Sequence, residues 1–195
     1  KGVKTIGAHA FQYALNLTTV TFEAGSQLDS IGQYAFNGAS RLTSIDIPAS
    51  VTSIESGTFY DADALTSITI PASVTRIGDY AFTVSWPSSL TSVTFEANSK
   101  LESIGDYAFK NAIILTDITI PASVKSIGTQ AFYYAKKLKS VTFDSSSNLT
   151  IIGQKAFYKT YDLTKITIPV GVKTIGSNAF YGSGLKSILY NEKNT

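Results

Sequence analysis

Apolar positions recur along this chain in a fixed order. An Ile-Gly-x-x-Ala-Phe segment, or a near variant, begins at Ile6, Ile31, Ile54, Ile77, Ile104, Ile127, Ile152 and Ile175, in steps of 25, 23, 23, 27, 23, 25 and 23 residues. After each Phe comes a short polar stretch, then Leu-x-x-Ile/Val-x-Ile/Phe or a close variant, starting at Leu17, Leu42, Leu65, Leu90, Leu115, Leu138, Leu163 and Leu185. Its second half alternates with period two, which predicts a strand with Ile68 and Ile70 turned inward and Thr69 outward. Ile, Val, Thr and Phe all favour that conformation. A single copy has nothing to bury its Phe and Leu against, so the repeat predicts an array in which each coil is completed by its neighbours.

The copies turn in two ways. Four end the strand with Ile-Pro, at Ile47-Pro48, Ile70-Pro71, Ile120-Pro121 and Ile168-Pro169. Proline has no amide donor and stops a ladder. Three instead have Phe22, Phe95 or Phe143 followed by an acidic residue and two additional residues. The longest step holds a further insertion, Val84-Ser85-Trp86-Pro87-Ser88-Ser89, expected on a surface loop. In Ile-Gly-x-x-Ala-Phe, Gly supplies a backbone angle that a Cβ would resist, and Ala allows close approach of coils. The Phe column runs Phe11, Phe36, Phe59, Phe82, Phe109, Phe132, Phe157 and Phe180.

Leu-x-x-Ile-x-Ile is the core of a leucine-rich repeat. The chain is therefore expected to be a right-handed leucine-rich-repeat solenoid of about eight coils of 23–27 residues. A parallel β-sheet about 35–40 Å long should line its concave face, with short turns or 3₁₀/α segments on the convex face. The whole of 1–195 reads as a single domain. It opens in mid-repeat on Lys1-Gly2-Val3, so a fragment of a longer protein is expected, with an apolar edge exposed at the first coil.

With its Ile-Pro turn, the unit Leu65-Thr66-Ser67-Ile68-Thr69-Ile70-Pro71-Ala72-Ser73-Val74-Thr75-Arg76-Ile77-Gly78-Asp79-Tyr80-Ala81-Phe82 resembles the BspA-like leucine-rich repeats. The resemblance covers residues 3–190. It implies a secreted or cell-surface bacterial protein, an adhesion or protein-binding role, and a host or cell-surface protein as partner. Three features depart from the family pattern. A small residue (Ala14, Ala39, Ala62, Ala112, Ala135, Thr160, Ser183) stands where family repeats often carry Cys. Ser50, Ser73 and Ser123 replace the Asn of many leucine-rich repeats. Glu55-Ser56-Gly57-Thr58-Phe59 breaks the Gly and Ala positions, and a locally altered turn is expected there.

Composition narrows the function. There is no Cys and one His, His9, so thiolate chemistry is excluded and multi-His metal sites are disfavoured. No phosphate loop or hydrolase motif is present, no apolar run approaches a membrane span, and Arg is scarce for a nucleic-acid binder. The reading is a non-catalytic binding module without cofactor or metal, with no nucleic-acid partner and no membrane insertion of this segment. A structural spacer and a carbohydrate-binding module remain as alternatives. Residues 1–99 hold four basic and eight acidic side chains, net −4, whereas residues 100–195 hold twelve basic and six acidic, net +6. An elongated array would thus carry a charge dipole.

Several groups are candidate contact residues. Trp86, the one Trp, sits in an insertion that no other copy shares and is a candidate anchor. Lys136, Lys137, Lys139, Lys155, Lys159 and Lys165 fall on neighbouring coils, as a patch for an anionic partner or as a solvated face. Tyrosines gather around the Phe, at Tyr34, Tyr80 and Tyr107 before it and Tyr60, Tyr133, Tyr158 and Tyr181 after it. Such rings suit either an interface or coverage of their own coil. Hydroxyls such as Ser67, Thr69, Ser92 and Thr94 fit a binding face or cross-strand pairing.

Overall fold

The computed structural model describes residues 2–85 and 88–190. Sixteen short strands follow one another among them: β1 (Thr5–Ile6), β2 (Thr19–Val20), β3 (Ser30–Ile31), β4 (Ser44–Ile45), β5 (Ser53–Ile54), β6 (Ser67–Ile70), β7 (Arg76–Ile77), β8 (Ser92–Phe95), β9 (Ser103–Ile104), β10 (Asp117–Ile120), β11 (Ser126–Ile127), β12 (Ser140–Phe143), β13 (Ile151–Ile152), β14 (Lys165–Ile168), β15 (Thr174–Ile175) and β16 (Ser187–Tyr190). Each of the eight coils contributes one odd-numbered and one even-numbered strand, and all pairing is parallel between successive coils.

The core is the set of columns the repeat predicts. Neighbouring Phe rings from Phe11 to Phe180 stack at 5.1–5.6 Å between centroids, with planes within 12°. The rings of Phe36, Phe59, Phe109, Phe132 and Phe157 are fully buried, as are Leu42, Leu115, Leu138 and Leu163. Burial of each such side chain contributes roughly 1.5–3 kcal/mol. Of the small residues at the Cys slot of the family, Ala39, Ala62, Ala112, Ala135 and Thr160 are buried, whereas Ala14 and Ser183, in the end coils, are half-buried. Thr160 satisfies its hydroxyl on the Phe157 carbonyl at 2.9 Å.

The Phe side of each coil is a run of stacked turns, and among the described residues there is no helix. The 3₁₀ or α segment expected there is therefore corrected to turns alone. Residues two before and two after each Phe are mostly left-handed: Tyr34, Tyr80, Tyr107, Gln130 and Lys155 before it, Asp61, Asn111, Tyr134 and Lys159 after it. A left-handed residue ends any helix. It turns the amide outward to the next coil: Tyr107, Phe109 and Asn111 amides donate to the Thr129, Ala131 and Tyr133 carbonyls at 2.8–2.9 Å. Each non-glycine left-handed residue costs on the order of 1 kcal/mol, which these inter-coil bonds offset. Gly78, Gly105, Gly128, Gly153 and Gly176, by contrast, are not left-handed. A Cβ on Gly128 would meet the Gly105 backbone at 2.6 Å. The glycine expected for its torsional freedom is there for close approach of coils.

The odd strands form a continuous sheet in the order β15-β13-β11-β9-β7-β5, and β1 pairs with β3. The gap between β3 and β5 falls at Glu55, the one departure from Gly. Gly32, Gly78, Gly105, Gly128, Gly153 and Gly176 amides each donate to the preceding coil's Ile carbonyl at 2.7–2.8 Å. A side chain at residue 55 takes the place of that close-approaching glycine, and β3 and β5 do not pair. The turn expected to be altered there keeps its form: Gly57 has φ of 62°, and the Thr58 amide reaches the Glu55 carbonyl at 3.3 Å, as Ala35 reaches Gly32. The disturbance lies in the ladder.

The even strands do not make the single long sheet expected of them. They form four two-stranded sheets: β2-β4, β6-β8, β10-β12 and β14-β16. Proline explains the division. In the four-residue ladders β6-β8 and β10-β12, the residue after the later strand donates back, Glu96 to the Ile70 carbonyl at 3.1 Å and Asp144 to Ile120 at 3.3 Å. Where the later coil has proline at that position, no donor exists. The pair then shortens to two residues (β2-β4, Pro48) or fails (β4 with β6, Pro71; β8 with β10, Pro121; β12 with β14, Pro169).

Candidate functional site

The turn face of the last four coils carries the most concentrated aromatic and cationic chemistry on the described surface. The residue after Phe is Tyr in coils six to eight, so Tyr133, Tyr158 and Tyr181 lie in register and stack at 4.9 and 5.2 Å. Tyr134 follows Tyr133 and lies 4.8 Å from it. Lys159 occupies the same repeat position one coil later. Its ammonium donates to the Tyr134 hydroxyl at 2.8 Å and sits 5.0 Å from the Tyr134 centroid and 5.5 Å from that of Tyr158. That hydrogen bond holds Lys159 above the usual lysine range, so the patch stays cationic at neutral pH. Burial pushes the Tyr133 phenol up, which keeps the ring neutral beside it.

More cations surround these rings. Lys155 lies 5.9 Å from the Tyr158 centroid, Lys136 5.3 Å from Tyr134, and Lys110 5.5 and 5.9 Å from Tyr107 and Tyr133. Ring faces attract ammonium groups and hold flexible lysines upright. The six lysines singled out from the sequence divide between two faces. Lys136, Lys155 and Lys159 join the tyrosines, and Lys137 pairs with Asp162 at 3.7 Å. Lys139 and Lys165 stand on the strand face, beside the cleft between β12 and β14. Trp86 lies outside the described residues.

Lys110 and Tyr134 were not singled out from the sequence. Aligning the copies on Phe would have found them: Lys110, Tyr133 and Tyr158 share one position, and Tyr134 and Lys159 the next. Ser50, Ser73 and Ser123 serve the array instead, and their hydroxyls donate to the Leu28, Val51 and Ser99 carbonyls of the preceding coil. His9 is exposed and stacks on Tyr34 at 5.4 Å. Among the described residues no three His, Asp or Glu side chains gather as metal ligands. No helix there is long and apolar enough to cross a membrane.

Asp63 differs from the other carboxylates. One of its oxygens, Oδ1, is buried without a hydrogen-bond partner among the described residues. Burial, and then the neighbouring Asp61 charge, push its carboxyl up to about 6.

Parallel strands, stacked turns and continuous Phe and Ile columns define the class as a solenoid of leucine-rich repeats. The chain belongs to the family of BspA-type leucine-rich repeat regions, whose model matches residues 4–98 and 83–195 in six copies. Among solved structures it is similar to the pneumococcal vaccine antigen PcpA, with 35% identity over 91% of this chain and a TM-score of 0.70. The chain spans 44% of the PcpA chain. The leucine-rich repeat protein of T. pallidum, TpLRR, shares the fold at 23% identity, over 83% of this chain and 72% of that one, with a TM-score of 0.65. No curated protein matches the sequence.

Proposed function

We propose that this chain is a non-catalytic adhesion module at a bacterial cell surface, and that it grips a host or cell-surface protein with the turn face of its last four coils. The observation that carries this reading is the stack of Tyr133, Tyr158 and Tyr181 edged by the ammonium groups of Lys110, Lys136, Lys155 and Lys159. Tyrosine is an amphipathic anchor, enriched where proteins meet, and the cations select an acidic counterpart. The patch is absent from the first four coils, where Gln12, Asn37, Tyr60 and Thr83 fill the position after Phe. A plain spacer has no use for such asymmetry. PcpA is described as a vaccine antigen, and an antigen that antibodies reach lies at a surface, which supports the same placement here.

Biolayer interferometry of the chain against immobilised extracellular-matrix proteins and whole epithelial cells tests the proposal. Tyr158→Ala should weaken binding by about 2 kcal/mol, roughly thirtyfold. Lys155→Glu with Lys159→Glu should weaken it further and flatten its salt dependence. Trp86→Ala tests the remaining candidate anchor. Unchanged binding by folded turn-face variants would reject this face as the contact surface.

A further inference from the structure

The strand face carries a feature that the turn-face reading leaves unused. Where β8 and β10 fail to pair, a cleft of about 570 Å³ opens between Thr94, Phe95, Glu96, Asp117, Thr119 and Pro121. Where β12 and β14 fail to pair, a second of about 510 Å³ opens between Lys139, Thr142, Phe143, Lys165, Thr167 and Pro169. Both arise where a coil of the Phe-acid type is followed by one of the Ile-Pro type. They repeat two coils apart, about 10 Å along the array, and Asp144 borders both.

We propose that these twin clefts form one binding site for an acidic oligosaccharide, laid along the solenoid axis across coils four to seven. Three properties point to a sugar. First, the Phe95 and Phe143 carbonyls lack their ladder donors, because Pro121 and Pro169 stand where Glu96 and Asp144 supply an amide to the coils before them. They await hydroxyl or amide donors from outside. Second, the half-buried Phe95 and Phe143 beside a proline give an apolar floor, and serines and threonines give a polar rim. That combination suits a pyranose, which is apolar on its C–H face and polar at its edge. Third, the gap is too narrow for a peptide strand. Cα atoms of β8 and β10, and of β12 and β14, still approach within 8 Å, whereas an inserted strand needs about 9.6 Å, two strand spacings.

Charge sets the ligand's class and its direction. Lys139 and Lys165 are exposed and make no ion pair among the described residues. They lie on adjacent coils at the mouth of the second cleft and outnumber its one carboxylate, Asp144, whose Oδ1 accepts from the Ser146 amide and hydroxyl, so an acidic sugar belongs there. The first cleft offers Glu96 and Asp117. Glu96 Oε2 already accepts the Ala72 amide at 2.9 Å, and these carboxylates reject an anion but accept hydroxyl and amide donors. A glycan alternating an acidic with a neutral sugar matches this order.

The probe is hyaluronan hexasaccharide, titrated into the whole chain by calorimetry beside the neutral chitohexaose. The acidic oligomer should bind at least about tenfold more tightly than the neutral one. Lys139→Gln with Lys165→Gln should remove that preference. Pro169→Ala keeps both lysines but supplies the missing amide, so the Phe143 carbonyl is taken, the cleft closes and affinity falls about tenfold. Thr167→Leu fills the same cleft without touching the backbone and should have the same effect should Pro169→Ala fail to fold. Lys155→Gln with Lys159→Gln on the turn face should leave glycan binding within about twofold. This control separates the site from the proposed protein-binding face, so either idea can fail alone. Absence of saturable hyaluronan binding, full binding after the cleft is closed or filled, or loss of binding through the turn-face variant would each overturn the proposal.

Discussion

Single side chains here act mainly through what lies one coil away. Gly128 shows this most clearly. It lies outside the left-handed region, yet an added Cβ would sit 2.6 Å from the Gly105 backbone, which cannot swing aside. Gly128→Ala should destabilise the chain by about 2 kcal/mol, read by chemical denaturation. Gly25, left-handed but with open space around it, should lose only about 1 kcal/mol on the same change. Asp63 gives the fold a pH dependence. Its folded value of about 6 lies above that of an unfolded aspartate, so the native state holds the proton more tightly. Its contribution to stability should be fully present below pH ~4 and fall away as pH rises through ~6. Asp63→Asn should remove this fall and, after allowance for solvent screening, gain on the order of 1 kcal/mol at pH 7, or about 3 °C in Tm by calorimetry.

At the scale of elements, one residue limits how far two strands join. Proline after an even strand removes a donor, and Glu55 in place of glycine separates β3 from β5. Between the second and third coils both ladders are therefore interrupted. What joins them includes the Phe36–Phe59 stack, the turn bonds of Tyr34, Phe36 and Gly38 to Ser56, Thr58 and Tyr60, the Ser50 hydroxyl on the Leu28 carbonyl, and 3.4 Å bonds from the Thr66 amide and hydroxyl to the Thr43 carbonyl. Glu55 is engaged elsewhere, accepting from Ser53 at 2.7 Å and Arg76 at 2.6 Å. Glu55→Gly should join β3 to β5, and amide exchange at residue 55 should slow to match Gly78 and Gly105. The repeat, its core columns and the proline stops were legible in the sequence. The two-residue strands ahead of each Gly were not, because two residues carry no periodicity. Nor were the left-handed turns, because Tyr, Gln and Lys at those positions give no torsional signal.

The whole molecule behaves as a line of coils whose stability is a sum of neighbour terms. Position along the line therefore matters more than residue type. Phe109→Ala, in mid-array and fully buried, should cost about 3–5 kcal/mol. Phe11→Ala, at an end where the ring is 44% exposed, should cost about half as much or less. Hydrogen exchange should show the first two coils opening ahead of the rest, with the boundary at Glu55. The Tyr–Lys patch also belongs to this scale. Its members come from separate coils and meet only because 23- and 25-residue periods return them to one face.

The sequence alone determined that this chain is an array and which residues form its interior. A hydrophobic period that no single coil can bury leaves stacking as the solution. It also held the family identity and the six candidate lysines, but not their division between two faces. Tertiary structure decided how the coils join: which ladders close, which open into clefts, and which rings stand beside which cations. Those outcomes depend on the register between coils and on amide donors one coil away, distances that a linear pattern does not contain.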